Sequence, residues 1–252
     1  MDASQYKTIF KRQSFHTFRG VGDETITPDE LNAIKEAYDA FERLYPDIRT
    51  AIRIVPANQR NLKKDAEYCI LIYSEKKGNY RMNVGYLGEQ LDLYLVSHDI
   101  GTLWYGMGRT KEKSFDGMEF VIMIAIHKVS DQSKYRQDIV KAKRKPLQEI
   151  WEGDTLGVAE VARYAPSAVN SQPWFVLNDS ETLTVYRSRK PGVIGKMTEV
   201  AVGDLSKIDI GIFLCVLEVC LAEERIEYER TLYADGKTDR DGYSKVAEYA
   251  LK

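Results

Sequence analysis

The chain has 252 residues, with 36 Lys and Arg against 38 Asp and Glu and a formal net charge of −2. Such a balance supplies no basic stripe for nucleic acid or for an anionic membrane surface. Hydrophobic residues make up 44%, ordinary for a globular α/β or α+β protein long enough to bury a sizeable core.

In chain order, Thr27-Pro28-Asp29-Glu30 predicts a helix start. Thr27 is the N-cap, Pro28 sits where no N–H is needed, and the two acids favour the positive end of the dipole. Leu31, Ile34, Tyr38, Phe41 and Tyr45 follow at helical spacing, and Pro46 ends the helix. Tyr68–Tyr73 (YCILIY) reads as a buried strand and Lys76–Asn79 as a turn. A second helix is expected over 83–98, with Val84, Leu87, Leu91, Tyr94, Leu95 and His98 as its inner stripe. Gly101 follows it as the expected residue of positive φ. Phe120–Ile126 (FVIMIAI) reads as a buried central strand, and the basic, polar residues 128–150 form a boundary. Two halves are therefore expected, 1–150 and 151–252.

The second half repeats the rhythm. A helix is expected from Asp154 to Val161, then the proline-containing run 165–174, a strand Trp174–Leu177 and its hairpin partner Leu183–Tyr186. Residues 208–222 form a helix apolar nearly all round, which places it centrally. Ile226–Tyr233 alternates as a strand, and the C-terminal tail reads as a short helix. Asn83-Val84-Gly85-Tyr86 and Asp209-Ile210-Gly211-Ile212 open similar helices about half a chain apart, a faint sign of internal duplication.

Cys69, Cys215 and Cys220 lie in apolar runs without a CxxC pair, which favours buried reduced thiols over metal or disulfide. Met1–Lys7 has no apolar stretch leading to a cleavage site. The run Ile208–Leu221 is too short for a bilayer and contains Asp209 and Glu218. A cytoplasmic protein with no membrane and no nucleic-acid partner is expected.

Three segments could carry chemistry. In Phe10–Phe18, Arg12, Ser14 and His16 alternate onto one side of an extended segment, a face that suits a phosphate or simply a polar arm capping the domain. Lys141–Pro146 is a basic run that is either a solvated face or a second phosphate contact. In Ala165–Trp174, small side chains allow close backbone approach to a planar ligand. Asn170 can donate and accept at the edge of a heterocycle. The same run is also a tight connection with Trp174 as core anchor. His98 and His127 read as structural, and no catalytic side chain is nominated.

Taken together these segments resemble the FMN-dependent nitroreductase family. APSAVNSQPW is similar to its flavin-contacting loop, which implies ring contacts from Pro166, Ser167, Ala168 and Asn170. Arg12-Gln13-Ser14-Phe15-His16 resembles its phosphate and ribityl motif, with His16 where the family usually has arginine or lysine. Ile100–Met107 resembles the segment after the central helix. That match puts Trp104 at the ring and the amide near Gly106 or Met107 toward flavin N5. Arg144-Lys145-Pro146 resembles the arginine–x–proline at the phosphate.

The resemblance implies an α+β fold with mixed central sheets flanked by helices. It also implies an FMN enzyme that takes electrons from NADH or NADPH and passes them to a nitroaromatic, quinone or similar small-molecule acceptor. In the usual family order the flavin loop comes early; here it follows the central helix, strand and basic run. This order implies a divergent subgroup with two fused, pseudo-symmetric half-repeats. The first half would give the phosphate and N5 side and the second the Pro166–Asn170 side of one FMN site. The assembly would be a monomer with an internal pseudo-dimer, or a homodimer. The alternatives are a flavin enzyme for one specific metabolite and a non-catalytic flavin-binding protein for storage or sensing.

Overall fold

The computed structural model describes residues 3–57, 65–188, 205–234, 238–240 and 242–252. After a short helix α1 (Tyr6–Lys11), helix α2 (Pro28–Ala40) begins as its sequence dictates. The Thr27 side chain accepts from Glu30 N while the Glu30 carboxylate accepts from Thr27 N, a complete capping box. The helix stops at Ala40 rather than reaching Pro46, because backbone groups beyond it are claimed by another element. Tyr45 N donates to Asn83 Oδ1 (3.1 Å), and the Glu42 carbonyl accepts from Gln90 Nε2 (2.8 Å).

Strands β1 (Thr50–Pro56), β2 (Tyr68–Ser74), β3 (Ile100–Tyr105), β4 (Ser114–Phe115) and β5 (Met118–Lys128) form one antiparallel sheet in the order β1-β2-β5-β3, with β4 pairing β5. The period-2 pattern of YCILIY divides between two cores. Ile70 and Ile72 face the main core, while Cys69, Leu71 and Tyr73 pack beneath Phe15, Phe18 and Val21. Between β2 and β3 runs helix α3 (Tyr80–Ser97). A one-sided inner stripe is the sequence expectation, but α3 is buried nearly all round, including Asn83, Glu89, Gln90 and Asp92. His98, expected on that stripe, is exposed at the C-cap. Gly101 lies inside β3, and Asp99 takes the left-handed conformation instead (φ 59). Gly101 serves close approach: a Cβ there would meet Val129 Cγ2 at 2.8 Å.

The second sheet contains β6 (Trp151–Glu152), β7 (Trp174–Asn178), β8 (Thr182–Ser188), β9 (Tyr228–Leu232), β10 (Thr238–Arg240) and β11 (Tyr243–Leu251). Its order is β10-β11-β8-β7-β6, with β9 also on β11. Among the described strands only β6 and β7 pair in parallel. Short helices α4 (Leu147–Ile150) and α5 (Ala159–Ala162) precede β7. The helix expected from Asp154 forms only from Ala159, because Leu156 (φ 53) and Gly157 (φ 72) turn the chain left-handed. The C-terminal tail is a strand, not a helix. Its Ala, Glu, Lys and Leu are helix formers, but Val246, Ala247 and Tyr249 are buried between β8 and β9, and packing overrides propensity. Trp174 is a core anchor, stacked on Phe213 at 4.7 Å between centroids. All three cysteines are buried and free. Among the described residues no helix is long and apolar enough to cross a membrane.

Helix α6 (Ser206–Glu223) packs directly on α3 at the centre of the molecule. Two glycines permit the contact. A Cβ on Gly85 would sit 2.1 Å from the Ile208 carbonyl oxygen, and one on Gly211 would sit 2.0 Å from that of Met82. Backbone on both sides leaves nothing that can swing away. Gly85→Ala and Gly211→Ala are each expected to force the helices apart and cost at least about 1–3 kcal/mol by overpacking. Thermal unfolding checks this, and an unchanged melting temperature in both variants would refute the close crossing.

Candidate functional site

A cleft with about 600 Å³ of empty space, part of it the open mouth, lies between β3 and β5 of the first sheet and the run 166–169 with the start of α6. Its walls are mainly apolar: Leu103, Trp104 and Ile122 on one side, Leu205, Ile208 and Ile212 on the other.

The N-terminal arm reaches the cleft because Ser14 bridges to Thr102 alongside β3, with Phe15 N donating to Thr102 O at 2.9 Å. Arg12, just before it, is buried (3% exposed) and donates from Nε to Asp92 Oδ2 at 2.8 Å. The same carboxylate accepts from Thr102 Oγ1 (2.5 Å) and Trp104 Nε1 (2.9 Å). One acid on α3 thus fixes the arm, the strand and the indole of the cleft wall. It also leaves Arg12 Nη2 beside Ser14 Oγ (3.3 Å).

Two more arginines approach from the segment that links the sheets. Arg144 donates to Tyr164 O (3.0 Å) and to Asn170 Oδ1 (3.1 Å), but its buried Nε has no partner among the described residues. Burial, then repulsion from Arg12 and Arg136, pushes its pKa down to about 10. Arg136 is half-buried, and burial followed by repulsion from Arg12 brings it to about 10 as well. Burial also opposes the charge on Arg12, but Asp92, by its charge and its hydrogen bond, leads the opposing effects and the guanidinium stays above its ordinary value. Arg12 depresses the protonation of both Arg136 and Arg144, and Arg136 that of Arg144, so positive charge is crowded here.

Glu89, one turn before Asp92, sits where its charged form is disfavoured. It is fully buried and neither oxygen has a hydrogen-bond partner among the described residues. Desolvation, then the neighbouring Asp92, raises its pKa well above the ordinary 4.5, against the pull of Arg12.

The run 165–174 is held in an uncommon conformation. Val169 (φ 49), Asn170 (φ 56) and Gln172 (φ 46) are all left-handed, and for a β-branched residue such as Val169 this is costly. Asp209, in the first turn of α6, holds the loop by accepting from Ala168 N (2.9 Å) and Ser171 Oγ (3.2 Å). Ser167 Oγ accepts from Gln172 N (2.9 Å), and Gln172 Oε1 accepts from Lys145 N (2.9 Å).

Of the residues singled out from sequence, Ser14, His16, Trp104, Gly106, Pro166, Ser167 and Ala168 line the cleft. Arg12 stands behind Ser14, and Met107, next in sequence to the lining residue Gly106, is 63% exposed and outside the lining. Arg144 and Asn170 lie outside the lining, bonded to each other. Sequence reasoning missed Asp92, Glu89, Arg136, Leu205 and Ile208 with Ile212. Asp209 was visible only as an acid inside an apolar run. Acids within nearly all-apolar helices were the available signal, since a carboxylate there must find a partner.

Two sheets on two crossed central helices, with an apolar cleft between them, make a nitroreductase-type α+β fold. A structure of a "putative nitroreductase" from Thermotoga maritima MSB8 superposes with a TM-score of 0.62 and 19% identity, covering 100% of this chain and 94% of that one. A "putative nitroreductase" from Desulfovibrio desulfuricans in complex with FMN is 14% identical (TM-score 0.44, 59% of this chain and 95% of that one). A nitroreductase family protein from Clostridium difficile 630 is also 14% identical (TM-score 0.46, 59% and 97%). Among curated proteins none matches the chain. The family model described as "Putative TM nitroreductase" matches residues 4–221, and the chain belongs to that family.

The state of Glu89 has a measurable consequence. Its folded pKa lies above its unfolded value, so the stability linked to its proton is present at low pH and is lost as pH rises above about 4.5 toward the folded value. Glu89→Gln, neutral at every pH, is expected to lose less stability between pH 5 and pH 8 than the parent. Denaturation at the two pH values checks it, and equal losses would contradict a neutral Glu89.

Proposed function

We propose that the cleft binds FMN and that the chain is a flavin-dependent NAD(P)H oxidoreductase for small electrophilic acceptors such as nitroaromatics or quinones. The observation that carries this reading is the group of Arg12, Arg136 and Arg144, close enough to repel one another, with Arg12 directly behind Ser14 of the cleft lining and bonded to Asp92. A phosphate supplies negative charge, and arginine forks match its geometry. The rest of the group fits too: the slot is mainly apolar, as a flavin ring requires. When bound, FMN supplies the hydride chemistry.

The chain's own residues bind, orient and exclude water. Arg12, Arg136 and Arg144 hold the phosphate, with Ser14 and His16 along the arm and Asn170 steadying Arg144. The Ser167 hydroxyl already accepts from Gln172 N, so its own proton is free to face the ligand. Trp104, Ile208 and Ile212 keep water from the ring, and Gly106 presents bare backbone at the wall. Pro166 and Ala168 bring the strained loop against the opposite side, while Met107 and the exposed Val169 form an apolar rim for the acceptor. The carboxylate in the lining, Asp209, spends both oxygens on the loop, so protons come from solvent. We place the enzyme in the cytoplasm, with no nucleic-acid or membrane partner. It acts as a monomer with an internal pseudo-dimer (residues 1–150 and 151–252) or as a homodimer.

The purified protein is expected to be yellow, to release FMN on denaturation, and to bleach anaerobically with NADH or NADPH. Bound FMN that neither nucleotide bleaches would instead indicate a flavin-binding protein without turnover. Arg136→Ala and Arg144→Ala should each weaken FMN by about 10- to 150-fold, the worth of a hydrogen bond to a charged group. Riboflavin, which lacks the phosphate, should bind parent and variants alike. Equal losses for both ligands would remove the phosphate from this end of the cleft.

A further inference from the structure

The two central helices are numerically equivalent. Both have 18 residues, and each position in α6 is numbered 126 above its counterpart in α3, Tyr80 with Ser206 and Ser97 with Glu223. Their glycines reciprocate: Gly85 meets Ile208, and Gly211 meets Met82, the counterpart of Ile208. The sheets follow the same plan. The order β1-β2-β5-β3, with β4 on β5, is matched by β7-β8-β11-β9, with β10 on β11. Even the irregularities coincide, since Val121 is skipped in the β2·β5 ladder and Val246 in the β8·β11 ladder. A molecule built this way has two clefts.

Carrying the first cleft across to the second locates its counterpart. Asp92 becomes Glu218, and Trp104 becomes Arg230. The chemistry follows the numbering: Trp104 Nε1 donates to Asp92 at 2.9 Å, and Arg230 Nη1 donates to Glu218 Oε1 at 2.7 Å. Asp209, which accepts from Ala168 N, becomes Asn83, which accepts from Tyr45 N. The loop before β1 therefore stands where the 166–171 loop stands before β7.

The occupants differ. Ile212, an apolar wall of the first cleft, becomes Tyr86, whose hydroxyl donates to Glu218 Oε2 at 2.6 Å. Tyr249, fully buried, donates to Glu218 Oε1 at 2.8 Å. Arg230 reaches on to Glu42 in the counterpart loop (3.3 Å). At the counterpart of the mouth, Asn79 replaces Leu205 and donates both to Tyr45 Oη (2.8 Å) and to Tyr233 O (3.0 Å), where Met107 has Tyr233 as its equivalent.

We propose that the chain is a doubled unit whose second ligand cleft is closed by this polar plug, so that one chain offers one flavin site and its two halves are not interchangeable. The plug is built from Glu218, Arg230, Tyr86 and Tyr249 inside, with Glu42 and the Tyr45–Asn79–Tyr233 staple across the mouth. It fills the volume with phenol rings and satisfies the buried acid internally, where the first cleft leaves apolar walls and unbalanced arginines. No flavin could enter without breaking hydrogen bonds to Glu218, a fully buried carboxylate.

This inference rests on the flavin reading of the first cleft, and two measurements separate them. FMN titration of the full chain should saturate at one per chain. Arg12→Ala should abolish most of the binding, while Tyr249→Phe, which keeps the ring and loses the bond to Glu218, should leave the stoichiometry at one. Two FMN per chain, or one retained by folded Arg12→Ala, would overturn the closed cleft. The second measurement needs no flavin. Hydroxyl-radical footprinting of the full chain should label Trp104 and Met107 readily and leave Met82, Tyr86 and Tyr249 unlabelled. Labelling of Met82 and Tyr86 at rates near that of Trp104 would overturn the proposal even if no flavin bound at all.

Discussion

The crossing of α3 and α6 at Gly85 and Gly211 is the constraint on which the rest of the structure depends. With carbonyl oxygens about 2 Å from where each Cβ would lie, the helices cannot rotate or slide without collision. Residues at fixed distances from the crossing are consequently delivered to fixed places. Asp92 and Glu218 both lie seven residues beyond a crossing glycine, each buried and each bound to an arginine. Buried carboxylates are costly alone, so each recruits partners from a neighbouring strand and organises a cleft around itself.

The difference between the clefts is then a difference in how charge is settled. Around Glu218, one arginine and two phenols satisfy the acid, and Glu42 answers the arginine's second nitrogen. Around Asp92, the acid takes Arg12, Thr102 and Trp104, but Arg136 and Arg144 add two cations that no acid among the described residues pairs with, and burial disfavours the charge on Glu89. A low-dielectric pocket with excess positive charge is unfavourable empty and favourable with an anion. The strained Val169–Gln172 backbone, pinned by Asp209, belongs to the same side, and strain of this kind concentrates where a ligand is gripped.

Much of the fold was legible. The capping box at Thr27, the strand YCILIY, the central strand FVIMIAI and the all-round apolar α6 each carry a local pattern with one physical solution. The failures share a cause. The C-terminal strand β11 has helix-forming residues but lies in the only gap that completes its sheet, and α2 stops early because α3 side chains capture the backbone that follows. At the cleft, Ser14, His16, Trp104, Gly106 and Pro166–Ala168 line the wall and were singled out from sequence because each lies in a short contiguous segment of unusual composition. Asp92, Arg136 and Asp209 act across long sequence separations and leave no local mark.

The sequence by itself determined the element types, the two apolar central helices, and the segments resembling a flavin loop and a phosphate arm. Those properties are set by periodicity, caps and turn chemistry within about ten residues of one another. Only the tertiary structure decided that an acid on α3 orients Arg12, that Arg136 and Arg144 come close enough to Arg12 to be repelled by it, and that Tyr86 stands where the corresponding wall has Ile212. Convergence depends on where a helix crossing places distant residues, and that crossing is fixed by two glycines 126 positions apart, each against backbone of the opposite helix, Gly85 at Ile208 and Gly211 at Met82.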